Sequence, residues 1–373
     1  MNRRDWLKAA GVAGAAAALP LEGLAQLGVR KKESPKIETE IKRLNLRHTW
    51  TTTMSSSTYR DTLHLRYTLD GITGYGEGAP IVRYKEDATS AQKAVQSVMD
   101  LLTATSPLFT EELENEIWNR VPGEWAGKAA MDIALMDWIG KRTSQPIFQM
   151  FGLDPNKAPI TTFSIGMDKP EIVRQKIKEA EPFPVLKIKV GLDTDEQMID
   201  SVRSATDKPL RVDANEGWTS KEEAVKKINW LSTKGVQFME QPMPADRYDD
   251  VRWVRERVSM PLIADEACER PPDVIKCKDA GYDGVNIKLD KAGGIRNAYK
   301  MLVIAKSLGM KTMLGCMVSS SCSVTAAAHL SPLVDYADLD GNLLIANDPY
   351  EGVKVENGTL KLPTGPGLGL KIL

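Results

Sequence analysis

Histidine is scarce in this 373-residue chain, with three residues too scattered to suggest a histidine-rich metal site. The four cysteines, Cys268, Cys277, Cys316 and Cys322, make no CxxC pair and no zinc spacing, so most are expected to be buried small hydrophobes. Charge of neither sign dominates. The formal net charge is −1 and no basic stripe is interleaved with aromatics, which excludes nucleic acid as an expected partner. Long apolar runs are missing too: the one near the start is short and broken by Gly and Pro, against a permanent transmembrane helix. What the chain does have is length and 42% apolar residues, enough for a large core and a second domain.

The first residues read as a leader. NRRDWLKAAGVAGAAAALPLEGLAQ joins paired arginines, a moderately apolar Ala/Gly/Leu stretch and a small-residue cleavage position at Ala25. It resembles a twin-arginine export signal, which implies a periplasmic protein exported folded, with no stable membrane insertion after cleavage. A tethered basic leader, or a cytoplasmic chain if the leader is inactive, is the competing reading. Residues 1–35 are therefore set outside the fold.

From Lys187 to Lys288 the parts of a metal-assisted proton-transfer site recur at near-even intervals: KIKVG (187–191), DAN (213–215), EQP (240–242), ADE (264–266) and NIKLDKAGG (286–294). Asp213, Glu240 and Asp265, spaced by 27 and 25 residues, each close a short apolar run of the kind that forms a buried parallel strand. Similar runs stand at TTFSI (161–165), VLKIKV (185–190), LRVDAN (210–215), VQFMEQ (236–241), PLIADE (261–266), DGVNIK (283–288), KTMLGC (311–316) and DYADLD (335–340). Helical stretches such as EEAVKKINWLS (222–232) lie between them. Units of about 25 residues fit βα repeats, and eight parallel strands close most simply as a barrel with its active site at the carboxyl ends.

Three carboxylates on strands three, four and five suit Mg²⁺, which keeps its remaining positions for water or substrate. A divalent ion on a substrate carboxylate lowers the cost of removing the neighbouring α-proton, through an enediolate. A base is still required. Lys189 on strand two and Lys288 on strand six are diametrically opposed in an eight-stranded barrel, so each addresses one face of the same carbon. That arrangement predicts racemisation or epimerisation. Lys187 lies two residues before Lys189 on the same strand face; it is expected to tune Lys189 and to touch the substrate carboxylate. A KxK alone would read as a structural or surface lysine pair.

Between residues 39 and 150 the pattern changes to strands, KIETEIKRLNLRH and TLHLRYTLDGITGYGEGAP, and helices at 88–103, 109–118 and 124–140. The Ser/Thr-rich TWTTTMSSSTYR (49–60) is too polar for core. A surface loop and a mobile cover over the barrel mouth fit it equally. The expected division is a 36–150 α+β cap, a 151–345 barrel and a 346–373 segment returning toward the cap.

GYGEGAP (74–80), AAMDIALMDWIGK (129–141) and the barrel motifs together resemble the enolase superfamily, in its muconate-lactonizing-enzyme branch. The resemblance implies a modified TIM barrel, (β/α)₇β, with an N-terminal α+β capping domain. It implies one Mg²⁺ on Asp213, Glu240 and Asp265, acid/base lysines at Lys189 and Lys288, and Asn215 orienting the ligands. GCM (315–317) and DLD (338–340) are similar to the dipeptide epimerases. There Asp338 and Asp340 would bind the α-ammonium of a short zwitterionic dipeptide, with Cys316, Met317 and Thr162 lining its pocket. Read alone, DLD is a turn and Thr162 a core residue.

The epimerases acting on Ala-Glu place a basic residue in the first cap loop. Here Ser55 or a neighbour falls there, although Arg47, Arg60 or Arg83 could approach from elsewhere. The expected substrate is therefore an L,L-dipeptide with a small or uncharged second side chain, against Trp50, Met54, Ser55 and Tyr84. These four could equally be ordinary cap packing. An L-Ala-D/L-Glu epimerase is the nearest alternative. An o-succinylbenzoate synthase or a muconate cycloisomerase is the next, disfavoured because an acidic pair repels a dicarboxylate substrate. A noncatalytic binding protein would have no use for both lysines. The family resemblance also implies homo-oligomers, and the dipeptide chemistry points to cell-wall or dietary peptide processing.

Overall fold

The computed structural model describes residues 34–373. The NRRDWLK motif and the cleavage position at Ala25 lie outside the described residues. Among the described residues no helix is long and apolar enough to cross a membrane.

The chain begins with an antiparallel meander, β1 (Lys36–Thr51), β2 (Ser56–Leu69) and β3 (Ile72–Gly78). Along β2 the side chains alternate as a half-buried strand requires: Leu63, Leu65 and Tyr67 enter the cap core, while Thr62 and His64 take the other face. Four helices follow, α1 (Ala88–Ser97), α2 (Met99–Ala104), α3 (Thr110–Arg120) and α4 (Trp125–Arg142). The GYGEG motif is explained by α4. A Cβ on Gly74, Gly76 or Gly78 would stand 2.0–2.1 Å from the carbonyl oxygens of Ala134, Ala130 and Ala126, so only glycine lets helix and strand backbones touch.

After the short α5 (Ile147–Met150) comes the barrel, whose strands are β4 (Phe163–Ile165), β5 (Leu186–Lys189), β6 (Leu210–Asp213), β7 (Val236–Glu240), β8 (Leu262–Ala264), β9 (Gly284–Ile287), β10 (Lys311–Gly315) and β11 (Tyr336–Asp338). They are hydrogen-bonded in chain order, all parallel. A parallel bridge from Thr161 to Ala337 brings the first strand against the last and closes the ring. The helices are α6 (Pro170–Glu179), α7 (Asp195–Arg203), α8 (Lys221–Ser232), α9 (Tyr248–Arg255), α10 (Pro271–Asp279), the short α11 (Leu289–Ala292), α12 (Ile295–Ser307) and α13 (Ser321–Ala328). Counting α11 with α12, seven helical connections join eight strands, as the (β/α)₇β expectation states. In α8 the Ser220 side chain caps the first turn by accepting from Glu223 N–H, and Ala224, Ile228 and Leu231 bury one face. Each such Ile or Leu contributes about 2 kcal/mol.

Strand alternation sorts the barrel into two populations. Leu186, Ile188, Leu210, Val212, Met239, Leu262, Val285, Ile287 and Leu314 point outward into the core shared with the helices. The inward set carries the polar residues, and beneath them Phe238, Ile263, Met313 and Tyr336 plug the interior, with Arg211 over the Phe238 and Tyr336 rings. The last segment forms short pairs, β12 (Tyr350–Glu351) with β15 (Lys371–Ile372) and β13 (Lys354–Glu356) with β14 (Thr359–Lys361). It touches the cap where His64 Nδ1 meets Tyr350 Oη at 3.2 Å and where Leu368 N–H donates to Asp137.

The interval 49–60 departs from a plain loop. β1 and β2 run through it, and residues 52–55 form the tip of a tight hairpin with Thr52 N–H on Ser55 C=O at 3.0 Å. Pairing slips between Asn45 and Trp50, where Leu46 bridges instead to Ile345 of the barrel end. The polar composition misleads because one face of the hairpin looks into a cavity rather than a core.

Candidate active site

At the carboxyl ends of the strands Asp213, Glu240 and Asp265 converge, each with a carboxylate oxygen within 4.8 Å of the others. Their backbones are neighbours: Asp213 is in register with Glu240, and Gln241, at φ 37°, accepts Asp265 N–H on its side-chain oxygen. Asn215 places its N–H 2.8 Å from Asp213 Oδ1, and its amide reaches both Asp213 and Glu266.

The lysines interleave with the acids. Lys189 Nζ lies 2.6 Å from Asp213 and Lys288 Nζ 2.7 Å from Asp265. Lys187 is almost fully buried at the floor of the site, held by three acids. It donates to Glu240 at 3.0 Å and Asp338 at 2.7 Å, with Asp213 at 3.2 Å. Burial works against its charge, but Asp338, Glu240 and Asp213 outweigh burial and hold it well above the usual lysine range. It acts as a fixed internal cation.

Burial also dominates the acids, with opposite outcomes. It pushes Glu240 up to about 8, reinforced by Asp213. For Asp265 burial is outweighed by Lys288 and Lys291, which hold that carboxyl well below its ordinary range. For Asp213 the Lys189 and Lys187 ammoniums prevail over burial in the same direction.

The DLD pair divides likewise. Asp338 accepts from Thr162 at 2.5 Å, Ser164 at 3.2 Å and Lys187; burial raises its pKa, and Lys187 more than reverses that. Asp340 accepts Ser164 N–H at 2.5 Å and is pushed up to about 7 by burial and the Asp338 charge. Thr162 is fully buried and braces Asp338 from below, as its reading as a core residue also allows.

A cavity of about 590 Å³ opens above this layer. Its wall includes Trp50, Met54, Ser55 and Tyr84 from the cap with Lys187, Lys189, Asn215, Lys288, Cys316, Met317, Asp338 and Asp340 from the barrel. The four cysteines are unpaired; Cys268, Cys277 and Cys322 are buried.

Several participants escaped the sequence reading. Lys291, inside the quoted NIKLDKAGG, donates to Asp265 Oδ1 at 2.5 Å and to the carbonyls of Cys268 and Asn286. Asn286 Nδ2 holds Glu240 at 2.8 Å. Glu266 lines the cavity, pushed up to about 8 by burial and the Asp265 and Asp213 charges. Period-two alternation offered a signal for Asn286 and Ser164, which stand two residues from Lys288 and Thr162.

The donor set fits a divalent cation. Six buried carboxyl groups, Asp213, Glu240, Asp265, Glu266, Asp338 and Asp340, face four buried ammoniums, Lys187, Lys189, Lys288 and Lys291. Carboxyl groups outnumber ammoniums by two, and burial with the crowding of like charge pushes Glu240, Glu266 and Asp340 up toward neutrality, a penalty that a cation among them would relieve. Hard oxygen donors of this kind match Mg²⁺.

The fold and the site agree with known proteins. Residues 36–152 match the mandelate racemase / muconate lactonizing enzyme N-terminal domain, and residues 171–373 match the enolase C-terminal domain-like family. The chain belongs to this family of the enolase superfamily. It is 40% identical to an L-Ala-D/L-Glu epimerase of Bacteroides thetaiotaomicron, covering 99% of both chains. It is 41% identical to an L-Ala-D/L-amino acid epimerase of Pedosphaera parvula, over 88% of this chain and 96% of that one. A dipeptide epimerase of Cytophaga hutchinsonii, solved with Mg and D-Ala-L-Val, superposes with a TM-score of 0.87 at 26% identity, covering 91% of this chain and 96% of that chain. These relatives are isomerases.

Proposed function

We propose that this family member epimerises the C-terminal residue of a short dipeptide, with Mg²⁺ held by Asp213, Glu240 and Asp265. The observation that carries the reading is the placement of Lys189 and Lys288 on strands four apart in the ring, both in the wall of one cavity above the acids. One amine takes the α-proton and the ammonium opposite returns one to the other face. Bound Mg²⁺ supplies positive charge to the substrate carboxylate, which acidifies the neighbouring C–H. Lys187, Asn286 and Lys291 hold Glu240 and Asp265 in place, so little reorganisation accompanies the proton transfer. Asp338 and Asp340 receive the substrate ammonium: two close carboxyls, one pushed toward neutrality by the other, favour a cation that restores both charges. This acidic anchor argues against o-succinylbenzoate or muconate chemistry.

The second side chain is small or uncharged in this reading, against Trp50, Met54 and Tyr84. One observation favours an acidic side chain instead. Arg60 is in the cavity wall, and its side chain has a single hydrogen bond among the described residues, to the Tyr59 carbonyl at 3.0 Å. The Bacteroides relative is named for L-Ala-D/L-Glu. Proton NMR in D₂O, with Mg²⁺ and L,L-dipeptides including Ala-Ala, Ala-Glu and Ala-Phe, tests both readings. We expect loss of the C-terminal α-proton signal and growth of a diastereomer. Preference for Ala-Glu that disappears in Arg60→Leu establishes the acidic reading; no exchange with any dipeptide sinks the epimerase reading.

A further inference from the structure

Just past the metal-ligand strand β6, after Ala214, two successive residues adopt left-handed backbone conformations that non-glycine residues rarely take, Asn215 at φ 40° and Glu216 at φ 65°. Such a pair persists only when its surroundings hold it, and here the cap supplies part of the hold. Thr53 at the hairpin tip donates its hydroxyl to Asn215 C=O at 2.8 Å. Arg83, from the cap segment before α1, forms a two-pronged bridge to Glu216, with Nε at 2.5 Å and Nη2 at 2.9 Å. The barrel holds the same residue through Ala245 N–H on Glu216 Oε1 at 2.8 Å and Glu216 N–H on Gln241 C=O at 3.0 Å. Neither cap residue touches the acids. The turn they grip does, through Asn215 N–H and Nδ2 on the two oxygens of Asp213.

We propose that Arg83, Glu216 and Thr53 are positioning residues that couple seating of the cap to the geometry of Asp213, so that metal affinity depends on cap contacts distant from the ion. The inference rests on the reading of Asp213, Glu240 and Asp265 as the Mg²⁺ site. The bridge is bidentate and partly buried, with side-chain exposures of 30% and 13%, unlike the solvated pairs that hold nothing in place. Coupling between sites is reciprocal in binding free energy. A metal that orders Asp213 therefore also favours the seated hairpin.

The test is Mg²⁺ affinity by calorimetry on the full chain without substrate. Arg83→Met and Glu216→Gln are each expected to weaken Mg²⁺ about 5- to 10-fold, toward the range seen when partners of metal ligands are removed. The double variant should lose no more than either single one, and Arg83→Lys should recover part of the loss. If Arg83→Met does not fold, Thr53→Val reads the same coupling through the Asn215 carbonyl. Mg²⁺ affinity within twofold of wild type in these variants overturns the inference, even if a substrate KM rises. Losses that add in the double variant overturn the shared latch. A wild-type chain that binds no Mg²⁺ overturns the metal reading and this inference together.

Discussion

Lys189 and Lys288 each rest on a different acid, Asp213 and Asp265, so truncating one leaves the other pair in place. Lys189→Met and Lys288→Met should therefore each slow epimerisation on the order of 10²–10⁴-fold, the usual worth of a general acid or base. Each variant should still exchange solvent deuterium into one epimer only, and the two variants should choose opposite epimers. Mass spectrometry of each epimer checks this; unchanged exchange into both would remove the two-base assignment. At this scale the sequence was readable where chemistry is carried by residue type at a strand end. Asp213, Glu240, Asp265 and both lysines met that condition. Lys291 did not, because it follows the strand in α11 and its importance lies in four acceptors that only the fold brings together. For Thr162 the two readings, pocket and core, stayed open because alternation puts it inside the barrel, but which inward residue reaches the cavity depends on strand tilt.

Elements meet across the cap–barrel boundary at α13. Its N-terminus lies against Glu77 of β3, whose carboxylate accepts Ser320 N–H at 2.9 Å, Ser320 Oγ at 2.5 Å and Ser323 N–H at 3.1 Å. A buried carboxylate there satisfies unpaired helix donors and meets the positive end of the helix dipole. Glu77→Gln keeps the shape but replaces an acceptor by a donor facing N–H groups. We expect it to destabilise the chain by about 1–3 kcal/mol, the cost of leaving a buried polar group unmatched. Urea unfolding would show this as a lower midpoint at unchanged slope; an unchanged midpoint would mean the helix is held by packing alone. The eight strands were legible because each short apolar run ends in a chemically distinctive residue. The 49–60 hairpin was not, since strands made of Ser and Thr carry no apolar alternation, and the tip pairs out of register with the longer β1–β2 ladder after the shift between Asn45 and Trp50.

Across the whole molecule, two buried histidines tie distant parts of the chain together in their neutral form. His329 at the end of α13 accepts Phe148 N–H of α5 on Nδ1 at 3.3 Å, and its Nε2 lies 3.2 Å from the Leu368 carbonyl in the last segment. His64 joins β2 to Tyr350 of the same segment. No motif announced either one, because a histidine's protonation state is set by its final burial. Burial lowers both, His329 to about 4. The unfolded chain takes up protons at these sites below about pH 6.5, whereas folded His329 refuses one until about pH 4. Stability from this residue is thus intact above pH 7 and lost as pH falls through that window, by about 2 kcal/mol at pH 5. Raised carboxyls such as Asp290, pushed up to about 8 by burial, act with the opposite sign over an overlapping range, so the total curve does not isolate the histidine. A difference between two proteins does. His329→Gln, which takes up no proton in either state, should be less stable than wild type at pH 7.5, and that gap should narrow by about 2 kcal/mol at pH 5. Urea unfolding of both proteins at the two pH values measures it. A gap that stays constant would mean that His329 is protonated as readily in the folded chain as in the unfolded one, and that the imidazole joining α13 to the last segment is not held neutral by its burial.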